Sequence, residues 1–113
     1  MNSNHVLPVL FVSHGAPDVL LSSDETNAAL RNLSAQVPLP KAIVVISAHW
    51  MDNPVGITNS EFLETMHDFG GFQPELYQQQ YQARGDAVLS QRIALLLQEQ
   101  GFESKLYPKR GLD

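Results

Sequence analysis

Ala42-Ile43-Val44-Val45-Ile46-Ser47-Ala48 is the stretch that decides the fold. It is apolar without alternation and rich in β-branched residues, which describes a strand covered on both faces at the centre of a parallel sheet. Upstream, Val9-Leu10-Phe11-Val12 has the same character between Pro8 and Ser13-His14-Gly15. Between the two runs Asp24 supplies helix-start chemistry, and Ala28, Leu30, Leu33 and Val37 form a rough apolar face, so a helix is expected over 24–36, ahead of Pro38 and Pro40. Strand, helix and strand at this spacing make a βαβ unit with parallel strands. The expected fold is therefore α/β, a mostly parallel central sheet with flanking helices.

Further along, residues 55–58 suit a short third strand, and 61–72 reads as a mixed loop broken at Gly70-Gly71. Pro74 opens a short helix. Asp86 caps a stronger one, in which Leu89, Ile93, Leu96 and Leu97 share a face before Gly101 ends it, and 102–107 suits a final strand. No repeat, low-complexity tract or linker marks a second domain.

Bulk properties exclude several functions. The chain has 113 residues, 43% hydrophobic and 17% charged, close to globular averages. The net charge of −5 and the scattered Lys and Arg give a nucleic-acid backbone little to bind. No stretch has the length and apolarity of a membrane span, and the first residues lack a signal peptide's basic start, so a cytoplasmic location without membrane contact is expected. With no cysteine, a metal must be held by His, Asp or Glu.

Two histidines stand where such a ligand set would begin. His14 follows the first expected strand and His49 follows the second, so both imidazoles fall at the carboxyl ends of parallel strands. Ligands of open α/β sheets bind just beyond those ends, and neighbouring strands are about 4.8 Å apart, so the two rings can converge on one ion. Imidazole suits Zn, Fe, Cu and Ni, and two His with one carboxylate and open positions is the pattern of non-haem Fe(II) oxygenases. The plainer alternative is that each His is a polar residue ending a strand. Trp50, beside His49, reads either as a wall for an aromatic substrate or as a core indole. Glu61 and Glu64 read as solvated carboxylates rather than metal ligands.

Three blocks add a resemblance to this reading. Val12-Ser13-His14-Gly15-Ala16-Pro17, Ile46-Ser47-Ala48-His49-Trp50 and Met66-His67-Asp68-Phe69-Gly70-Gly71-Phe72 resemble, in order and spacing, successive blocks of class III extradiol ring-cleavage dioxygenases of the DOPA 4,5-dioxygenase-like branch. The similarity continues through Pro74-Glu75-Leu76-Tyr77 to Arg110-Gly111-Leu112-Asp113. It implies that residues 1–113 are the N-terminal portion of a larger single domain, truncated at Asp113. It also implies an oxidoreductase that opens a catechol such as DOPA with dioxygen at a mononuclear non-haem metal, Fe(II) or Zn(II). His14 and His49 would be metal ligands, and His67, Asp68 and Trp50 would line the pocket or support the ligands.

The third ligand and the acid/base residue are expected beyond Asp113, so the 113-residue chain is expected to lack ring cleavage by itself. Tyr81-Gln82-Ala83-Arg84-Gly85 departs from the family's Tyr-Pro-Ala-Pro-Gly without touching an expected ligand. Two other readings compete: a tetrapyrrole metal chelatase, which also sets a His-Gly after a buried strand, and a non-catalytic metal-binding remnant. An exposed apolar face would promote self-association.

Overall fold

The computed structural model describes residues 6–113. They gather into two compact units, one formed by residues up to Ile43 together with Gly71–Gln78, the other by Val44–Gly70 and Gln79–Asp113.

In the first unit a 3-10 turn, Pro17–Leu21, precedes helix α1, Glu25–Gln36. The Asp24 carboxylate accepts the Asn27 N–H at 2.9 Å, which satisfies one of the donors a helix start leaves open. Asn27 replaces the expected Ala28 on the inner face. It is buried, its amide nitrogen donates to the Val19 carbonyl at 2.6 Å, and its oxygen accepts from Arg31 Nε at 2.7 Å. One polar side chain therefore ties α1 to the preceding turn. A second 3-10 turn, Pro74–Gln78, packs against the first and brings in Leu76, at 1% exposure the most deeply buried hydrophobic among the described residues.

The second unit holds the parallel pair. Strand β1, Val55–Thr58, runs parallel to β4, Ser104–Tyr107, with Val55 opposite Ser104 and Thr58 opposite Tyr107. Helix α2, Ala87–Glu99, packs on both strands. Asp86 caps it through the Leu89 N–H at 2.9 Å, and Ser90 donates its hydroxyl to the Thr58 carbonyl at 2.8 Å. The inner face of α2 carries Leu89, Ser90, Ile93 and Leu97, whereas Leu96 turns outward and is half exposed. A short antiparallel ribbon joins β2, Phe62–Leu63, to β3, Ala83–Arg84. Thr65 bridges Leu112 in parallel.

The α/β class holds, because a parallel strand pair is joined through a helix. Its location differs from the expectation. The βαβ relationship runs β1–α2–β4, late in the chain, and not through residues 9–48. Neither residues 9–12 nor residues 42–48 form a strand, and their large apolar side chains are about half or more exposed, Phe11 and Ile46 almost fully. Apolarity records that a run tends to be buried, but a strand also needs a neighbour offering hydrogen bonds and cover, and neither run is paired among the described residues.

Candidate functional site

His14 belongs to the first unit. It is exposed on the rim of an open hollow of about 500 Å³ whose lining includes Ser13, Gly15, Asp18, Ser22 and Asp24. Of the two carboxylates, Asp24 is engaged as the α1 cap, and the Asn27 N–H holds its carboxyl below the usual carboxylate range.

His49 and the other residues singled out from the sequence belong to the second unit. His49 Nδ1 lies 3.5 Å from an Asp68 carboxylate oxygen, and both side chains are more than half exposed. A histidine whose Nδ1 faces a carboxylate has its ring orientation and tautomer biased, with Nε2 left as the lone-pair donor. That is the usual support of a metal-bound imidazole. His67, by contrast, sets Nε2 at 2.8 Å from the Gln79 carbonyl and stacks edge-on with Phe69. The contact with Gln79 is one that a loop histidine makes with nearby backbone.

Trp50 is half-buried within its own unit. Its ring meets Tyr107 edge-on at 5.3 Å, and the Arg110 guanidinium carbon lies 4.8 Å from its centroid. The indole also lies so close to Gly56 that a side-chain carbon there would strike it. Gly56 is thus required by the approach of Trp50 to β1. The Tyr107 hydroxyl donates to Asp52, which draws the Asp52 carboxyl below its ordinary range and raises the Tyr107 phenol above 10.0.

The structure brings His49 and Asp68 together, leaves His67 on backbone and packs Trp50 against Tyr107 and Arg110. Among the described residues, no group of three or more His, Asp or Glu side chains assembles to hold a metal ion. Taken separately, His14 in the first unit and His49 in the second each present an exposed imidazole, a donor type that suits such ions, and His49 faces a carboxylate.

A second set of contacts surrounds His49, and no local signal in the sequence marks it. The His49 N–H donates to the Ser47 hydroxyl oxygen at 3.1 Å, Ser47 donates to Asp113 at 2.6 Å, and Arg110 donates to the same carboxylate at 3.1 Å. Ser47 and Arg110-Gly111-Leu112-Asp113 appear in the resemblance blocks, but a link across 66 positions leaves no periodic signal.

The parallel α/β unit and the carboxylate-faced histidine fit a class of ring-opening oxygenases, and the chain belongs to it: residues 3–113 match the family described as the catalytic LigB subunit of aromatic ring-opening dioxygenase. Among its relatives are proteins named 4,5-DOPA dioxygenase extradiol, from Escherichia coli (strain K12) at 42% identity over 80% of this chain, and from Mirabilis jalapa at 36% over 91%. The protein of the same name from Beta vulgaris is 35% identical over 99% of the chain. These alignments take in 34%, 40% and 43% of the relatives' own lengths. Membership in this family sets the chelatase reading aside.

Proposed function

We propose that this chain contributes the first part of an extradiol dioxygenase domain that opens the ring of a catechol such as DOPA with dioxygen. His14 and His49 would hold one mononuclear non-haem metal, Fe(II) as the working ion and Zn(II) as an alternative occupant. When bound, the metal supplies Lewis acidity toward a catechol oxygen and, as iron, the redox capacity needed to use dioxygen. Asp68 orients the His49 ring through Nδ1, and His67 borders the site from its loop. Trp50, packed against Tyr107 and Gly56, supports the segment that carries His49.

The observation that carries this reading is the His49–Asp68 approach at 3.5 Å in a chain of the ring-opening family. The relatives are more than twice as long as the matched region, which supports a third ligand and an acid/base residue supplied by further sequence of the same domain. The 113-residue chain alone would then bind metal without turnover. The exposed runs at 9–12 and 43–46 support self-association of this form. A cytoplasmic location agrees with the absence, among the described residues, of any helix long and apolar enough to cross a membrane.

Zinc and Fe(II) titrations of the wild type, His14→Ala and His49→Ala test the proposal. The expected result is one ion per wild-type chain and at least a tenfold loss of affinity in each variant. Equal binding by all three proteins would refute it.

A further inference from the structure

The contacts around Ser47 have a direction. A serine hydroxyl has one proton to give and two lone pairs to offer. Here the proton goes to Asp113 at 2.6 Å, and the oxygen accepts the His49 N–H at 3.1 Å. A hydroxyl bonded to a carboxylate at that distance is in the range of charge-assisted bonds, which are about twice as strong as neutral ones. The carboxylate is itself fixed. Arg110 Nη2 donates to its second oxygen at 3.1 Å, and only 10% of the Asp113 side chain is exposed. The Arg110 guanidinium lies over Trp50, the residue after His49, while its Nε is buried without a hydrogen-bond partner. Stacking and the Asp113 pair therefore set where this guanidinium sits.

The segment that presents these two side chains is held on both sides. Thr58 donates its hydroxyl to the Arg110 carbonyl at 2.6 Å, Leu112 N–H donates to Glu64 at 2.8 Å, and Met66 N–H donates to Leu112 at 2.6 Å. A side-chain carbon at Gly111 would collide with the Glu64 carbonyl. Residues 110–113 thus lie in one register beside residues 64–66, and Asp113 reaches Ser47 from that register.

We propose that Asp113, clamped by Arg110 and acting through the Ser47 hydroxyl, is a positioning residue that fixes the backbone of His49 and so the direction of its imidazole. Asp68 lies 3.5 Å from the ring at the side-chain end; Asp113 fixes the peptide from the main-chain end. The consequence for metal binding rests on the proposed ligand role of His49. The backbone link does not.

The test uses the full 113-residue chain and two readouts, the hydrogen exchange of the His49 amide by NMR and zinc affinity. Ser47→Ala and Asp113→Ala are each expected to speed His49 exchange about tenfold, as loss of roughly 1.4 kcal/mol of protection would, and to weaken zinc by at least tenfold. The Leu89 amide, bonded to Asp86, should keep its protection and so report that the unit is folded. Ser47→Thr keeps the hydroxyl and should restore both readouts. Unchanged His49 exchange in Asp113→Ala, with Leu89 still protected, would overturn the proposal. So would faster exchange that Ser47→Thr fails to restore. If wild type binds no zinc while the exchange pattern is as expected, the backbone link stands and the metal reading falls.

Discussion

Residues 42–48 and strand β1 make an instructive pair. The first is the longer and more apolar run, yet it forms no strand and leaves Ile46 almost fully exposed; the second, Val55–Thr58, has only one large aliphatic besides its first residue and is paired along its whole length. What separates them is the neighbour. β1 has β4 alongside in register, α2 across it and a serine hydroxyl at its last carbonyl. The longer run has the composition of a central strand, but no such partner is described beside it. Strand propensity is thus an affinity for a half-buried, paired surface, realised only when that surface is present.

Substitutions in the two regions should separate accordingly. Gly56→Ala has the largest expected effect, because the new methyl meets the Trp50 ring: about 1–3 kcal/mol of lost stability by urea denaturation, with altered Trp50 fluorescence. A neutral result would mean that the indole can leave β1 freely. Tyr107→Phe should act more gently. It removes the hydroxyl that lowers the Asp52 carboxyl, so Asp52 should titrate closer to 3.8 in the variant, as read by NMR.

The sign follows from the same contact. Asp52 is depressed in the folded chain, so its contribution is present above 3.8 and is lost as pH falls through the folded value. Tyr107 is raised, so its contribution is present below 10.0 and is lost as pH climbs through the folded value. A wild-type Asp52 titrating at or above 3.8 would contradict the contact. Ile46→Asn should have the smallest effect, within about 0.5 kcal/mol, as for an exposed position. A loss of several kcal/mol would show that the run is buried in solution, and would erase its contrast with β1.

The helices were legible because their signals are local. Asp24 and Asp86 each sit three residues before the amide they cap, and the periodicity of α2 placed Leu89, Ile93 and Leu97 inward. Leu96 was misassigned because it neighbours that face in sequence while Ser90, a polar residue, takes an inner place through its bond to Thr58. β1 and β4 were readable as short strands, but not their parallel pairing, since no local pattern records a partner some fifty positions away. The β2–β3 ribbon, two residues a side, is too short to have a period.

The site divides in the same manner. His49 and Asp68 are each recognisable from their motifs, and the structure sets them 3.5 Å apart. The path from His49 through Ser47 to Asp113 depends on where residues 110–113 lie beside 64–66, which is a property of the fold and not of either segment.

X-ray absorption of the zinc-loaded chain reads the proposed ligands themselves, because imidazoles leave a distinct scattering signature and Zn–N distances fall at about 2.0–2.1 Å. Two imidazoles on one ion are expected in the wild type and a single one in His14→Ala and in His49→Ala. An ion with no imidazole, or one whose shell is unchanged by either substitution, would contradict the two-histidine site.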